Sequence, residues 1–122
     1  GAFVIGMAKI GETGAESYWE HRVPTDRLFA ELGDPQRRLV LTKLLETELD
    51  WLALDDILSE EPDPVAARAA MVQVHLPRLA DAGFVDWERE SEIFGPGPRF
   101  DEIEPTIELL AAHQERLPGE WV

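Results

Sequence analysis

The chain predicts a mainly helical, α+β domain in which several helices precede a β-hairpin and a last helix follows it. The strongest sign is the run His75–Trp87. His75, Leu76, Leu79, Ala80 and Ala82 recur at helical spacing, and Gly83 can leave the helix with positive φ. Phe84, Val85 and Trp87 then change the period toward strand, and the turn-forming Gly95-Pro96-Gly97-Pro98 follows. A second sign is Asp34-Pro35, an N-cap acid followed by proline at the first helical position. The third is the amphipathic stretch Ile103–Arg116, closed by Pro118 and Gly119.

Each element has its own local reason. Residues 1–24 have weak periodicity and several glycines, and read as an N-terminal tail or an added strand; those before Met7 are a candidate expression leader. Thr25 opens a helix with Leu28, Phe29 and Leu32 on one face, and Gly33 ends it. The helix from Pro35 carries Leu39, Val40, Leu44 and Leu45, a stripe suited to a central core helix. Trp51–Leu54 reads as a short strand, or as an extended lead into a helix over Asp55–Glu60. Pro62 and Pro64 mark a loop.

A long helix is then expected from Val65 to about Ala82. Pro77 has no N–H for the Gln73 carbonyl, so a kink is expected near Gln73–Pro77. Val65, Ala69, Val72, Leu76 and Leu79 are its expected core face. Ala66, Ala67, Ala70, Met71, Gln73, Val74 and Arg78 are left toward solvent or a partner. Val85–Glu90 and Glu92–Phe100 form the hairpin, with a bend near Ser91. At 122 residues the chain suits one compact domain, placed over 25–117, with 118–122 as a tail.

Charge separates this chain from an average domain. It has 25 Asp plus Glu against 11 Lys plus Arg, a formal charge of −14, and only Lys9 and Lys43 are lysines. Such a surface reads as adaptation to molar intracellular salt, where screening removes most self-repulsion. The plainer alternative is a solubilising surface or an acidic interaction protein. Between Glu46 and Asp63 there are eight acids and no base. The segments Asp34–Leu45 and Pro64–Ala82 are instead weakly positive, at +2 and +1.

Two motifs carry a resemblance. LGDPQRRLVLTKLL is similar to the start, and VHLPRLADAGFV to the H-L-x-x-L-x-x-A-G ending, of winged-helix regulators of the arsenic-repressor type. The HLPRLADAG variant most resembles a group of small haloarchaeal winged-helix domains, mostly without assigned function. The resemblance spans roughly residues 25–117. It implies a winged helix-turn-helix fold, a C-terminal β-hairpin wing, and a final helix over 103–117 that pairs two copies as a homodimer. It further implies sequence-specific binding of double-stranded DNA in transcription regulation, with the Val65–Leu79 helix in the major groove. The two weakly positive segments are the two helices that would face DNA.

The candidate contact residues are set by that placement. Arg37 and Arg38 would hold phosphate; their alternative is pairing with nearby acids. On the long helix, Gln73 suits a bidentate pair with adenine, and Ala70 or Met71 a thymine methyl. Arg68, Val74, His75 and Arg78 complete that face. His75 is otherwise a partly buried structural residue. Arg89 and Arg99, assigned to the wing, would reach the minor groove or a phosphate, or else pair with Glu88, Glu90 or Glu92. The rival reading is an adaptor that binds no DNA and meets a protein partner through Ala70, Met71 and Val74.

Other classes have little in their favour. His21, His75 and His113 are isolated, no zinc-ligand spacing or phosphate-binding glycine loop occurs, and catalysis is not expected. The absence of cysteine removes the thiolate metal site of a sensor, and no cofactor is expected. No apolar run is long enough for a membrane span and the start lacks a signal-peptide n-region, so a cytoplasmic location is expected.

Overall fold

A computed structural model describes residues 22–122. The elements run α1 (Thr25–Glu31), α2 (Pro35–Glu46), β1 (Leu52–Ala53), α3 (Leu54–Leu58), α4 (Pro64–Ala70), α5 (Leu76–Asp81), β2 (Val85–Glu88), β3 (Ile93–Pro96) and α6 (Phe100–Ala112). A π-helical turn over Met71–His75 joins α4 and α5 into one continuous run, and a 3₁₀ turn over Gln114–Arg116 comes after α6. The expected tail or strand over 1–24 and the start at Met7 lie outside the described residues, except for Arg22–Pro24. Among the described residues no helix is long and apolar enough to cross a membrane.

The architecture is α+β, with helices around a three-stranded antiparallel sheet of order β1-β3-β2. The hairpin pairs Val85 with Pro96 and Trp87 with Phe94, and β1 adds Leu52 opposite Phe94. Asp34 caps α2 as its sequence indicates, its Oδ1 accepting the Gln36 N–H at 2.8 Å. Asp63 caps α4 in the same way through Ala66. Gly83 stops α5 with φ +85°. The Phe84 N–H then returns to the Leu79 carbonyl at 3.0 Å.

Glycine is required where the hairpin meets that stop. Gly97 donates to the Phe84 carbonyl. A Cβ there would lie 2.5 Å from the Gly83 oxygen and 2.7 Å from the Val85 nitrogen. Helix end and sheet edge can approach this closely only without a side chain. The hairpin turn puts Glu92 at φ 54°, a left-handed conformation uncommon outside glycine. Its carbonyl accepts the Leu54 N–H at 2.9 Å and its carboxylate meets Arg68, so α3 and α4 both hold the turn.

The core sits between α2, the α4–α5 run, the sheet and α6, and includes Val40, Leu41, Met71, Leu76, Phe84, Phe94, Ile103 and Ile107. Two expectations about faces are corrected. On α1, Leu28 and Leu32 pack on the core as anticipated, but Phe29 is exposed and Glu31 is buried. On the long run, Val65 is 81% exposed and Ala69 is exposed, while Ala67 and Met71 point inward.

The reason is the π turn. The Leu76 N–H bonds to the Met71 carbonyl five residues back. One extra residue rotates the rest of the run by about 100° relative to an unbroken α-helix. Counting back from Leu76 at α-helical spacing therefore picks the wrong side of α4. Pro77, which cannot complete the bond to Gln73, stands just after this widened turn, where the sequence places a kink. The C-terminal residues are also more than a tail: Trp121 is buried against α2 and donates to Thr42 Oγ1 at 3.0 Å.

Candidate functional site

A network of paired charges forms where α1, α2 and α5 meet. Arg27 and Glu31 stand four residues apart on α1, a spacing that brings their side chains together. Arg27 Nε donates to Glu31 Oε2 at 2.6 Å, and its Nη2 reaches Asp81 at 3.5 Å. From α5, Arg78 Nε donates to both Glu31 oxygens, at 2.8 and 2.9 Å. From α2, Arg37 Nε lies 3.5 Å from Glu31 Oε1. Glu31 is 0% exposed, so one enclosed carboxylate gathers guanidinium groups from three helices.

His75 closes the cluster from the π turn. Its Nδ1 lies 3.1 Å from Arg37 Nη1, and its Nε2 3.6 Å from Asp34 Oδ1. A guanidinium only donates, so Nδ1 accepts, which assigns a neutral ring with its proton on Nε2. Burial lowers the His75 pKa from the ordinary 6.5, outweighing the opposite pull of Asp34, and Arg37 and Arg78 lower it further.

Stability should therefore be complete above pH 6.5 and fall below it, where the unfolded chain takes up a proton that the folded ring resists. Thermal unfolding of the wild type and His75→Gln between about pH 8 and pH 5 checks this. The wild type should lose stability more steeply on acidification; equal slopes would contradict the assignment.

The expected phosphate contacts are largely committed inside the protein. Arg37 is buried, its Nε donating to the Glu31 carbonyl at 2.8 Å and its Nη2 to the Ala30 carbonyl at 3.1 Å. Arg38 donates to the carbonyls of Trp121 and Leu32, and its guanidinium lies 5.5 Å from the Trp121 ring centroid. Arg68 ties α4 to Asp55 on α3 and Glu92 in the hairpin turn. Arg99 precedes α6 instead of standing in the hairpin, and lies 3.6 Å from Glu102. The sequence leaves phosphate contact and internal pairing both open for Arg37, Arg38 and Arg99; in the structure each of them, like Arg68, has an acceptor within the protein.

The π turn carries Met71 and His75 inward, where both are buried; this corrects the outward placement of Met71 and agrees with the structural alternative for His75. The set that remains outward on the run is narrower. Gln73 is exposed, Val74 is 50% exposed, Ala70 is half-buried, and Arg78 keeps 44% of its side chain exposed while pairing with Glu31. Arg89 is exposed in the hairpin turn and has no partner among the described residues. The structure thus brings Ala70, Gln73, Val74 and Arg78 onto one helical run and holds Arg89 apart on the hairpin.

Glu31 was missed by sequence reasoning. Its one local signal is the Arg27–Glu31 spacing, which usually marks a solvated surface pair. Its other partners come from 6 and 47 residues away. Comparison of the chain with protein-family models, curated proteins and solved structures finds no match.

Proposed function

We propose that the chain is a winged-helix protein that binds specific double-stranded DNA sequences as a transcription regulator, with the α4–α5 run in the major groove. The observation that carries this reading is the arrangement around that run. It comes after the short α3, ends at Gly83, leads directly into a hairpin, and the hairpin joins a sheet of order β1-β3-β2. Its outward residues include Gln73, able to pair with an adenine edge, and Ala70 and Val74, able to pack on a thymine methyl. Of the candidate contact arginines, Arg89 on the hairpin and Arg78 are the exposed ones. Leu109, exposed on α6, supports pairing of two copies through that helix.

The internal commitment of arginines favours a reader working in molar salt. There the counterion-release contribution is small, and base edges and apolar contacts must supply affinity. Fluorescence anisotropy on a random-sequence duplex pool, from low to molar KCl, tests the reading. Binding should persist at molar salt on a narrow set of sequences. Gln73→Ala should weaken it about tenfold, the ~1–3 kcal/mol scale of one bidentate base contact. The same arginines, with Val74 and Ala70 outward, support the second reading, an adaptor that meets a protein through this face. Failure of the folded protein to bind DNA at any salt would leave that reading in place.

A further inference from the structure

Arg78 differs from the other paired arginines in how it is held. It engages Glu31 through Nε alone. Its η nitrogens have no hydrogen-bond partner among the described residues, and 44% of the side chain faces solvent. It stands one turn beyond Val74 on the outward-facing run. Glu31 is itself immobilised by Arg27 and Arg37 from the other two helices, so it cannot swing to follow a mobile partner.

We propose that Glu31 is a positioning residue that fixes the plane of Arg78 in advance, so that its η nitrogens form a preset fork for two acceptors on DNA. The proposal rests on the DNA-binding reading. A guanidinium is rigid and planar, and anchoring Nε to both oxygens of an enclosed carboxylate sets its orientation. A side chain already ordered loses less conformational freedom on binding. The matching acceptor pair is either guanine O6 with N7, or two oxygens of one phosphate. Arg27 and Arg37 beside Glu31 also keep its negative charge from repelling those acceptors.

The test combines two measurements on the full chain in molar KCl. In nitrogen-15 NMR, the Arg78 Hε should exchange slowly in the wild type and quickly in Glu31→Gln. Exchange in the wild type as fast as at the exposed Arg89 would overturn the positioning. In anisotropy on the duplexes selected from the random pool, Glu31→Gln should bind about tenfold more weakly, with no further loss when combined with Arg78→Gln. Losses that simply add, or unchanged binding by Glu31→Gln, would refute it.

Should Glu31→Gln fail to fold, Arg78→Lys keeps a cation beside Glu31 and removes the fork. Its affinity should fall as far as that of Arg78→Gln, and wild-type affinity would count against the proposal. A loss confined to one base position identifies guanine; a uniform loss with the salt slope reduced by about one identifies phosphate. Absence of binding by the wild type would instead defeat the DNA reading, and the reader role with it. The exchange measurement reports the Glu31–Arg78 link separately.

Discussion

Glu31→Ala is expected to lower the unfolding free energy by about 3 kcal/mol or more, the scale of removing one partner from a buried ion pair. The cost arises in the groups left behind. Arg27 and Arg78 are 35% and 44% exposed and can regain water, but Arg37 is only 10% exposed and stays enclosed beside His75. Its carbonyl acceptors remain, which holds the loss to the lower end of a range reaching about 5 kcal/mol. For a domain of this size the change corresponds to a fall in Tm of at least about 12 °C. Salt should not rescue the variant, because an enclosed pair is weakly screened. Thermal and urea unfolding in dilute and molar KCl measure both points. A loss below about 1 kcal/mol would show that Glu31 behaves as an ordinary surface acid.

Met71→Ala should cost about 2–5 kcal/mol, the range for emptying a fully buried site of this size. Met71 is 0% exposed and opens the π turn, so truncation leaves a void beneath the widest part of the helix. Val74→Ala, three residues on and half exposed, should change stability by no more than about 0.5 kcal/mol. The pair separates two orientations of the run. With Met71 inward, unfolding experiments distinguish the variants sharply. With Met71 outward, both would be mild and only binding would respond. Urea unfolding of the two variants side by side gives the result.

Local chemistry accounts for the features legible in the sequence. Asp34-Pro35 caps a helix because an acid and a proline satisfy and preset its first turn, whatever lies around them. Gly83 ends α5 because its backbone can take positive φ. The switch from helical to alternating period after Phe84 marks the hairpin. These signals span a few residues each, and they sufficed to place the order of helices, hairpin and last helix.

The same locality explains the failures. A one-residue insertion at Met71–His75 moves no cap and breaks no pattern strongly, yet it decides whether Met71 or Val65 faces the core. Arg37 and Arg38 carry identical charge in adjacent positions, and nothing nearby says that one meets His75 and the other Trp121. Those partners lie 38 and 83 residues away.

By itself, then, the amino-acid sequence determined the kinds of elements, their order, their main stops and the strongly acidic balance. Each depends on backbone preference or composition. Only the tertiary structure decided which side of the long run is outward, that Glu31 is enclosed among three arginines, and that the expected phosphate-binding cations are mostly held internally. Burial and ion pairing depend on distances between residues remote in the chain, and those distances exist only once the helices have packed.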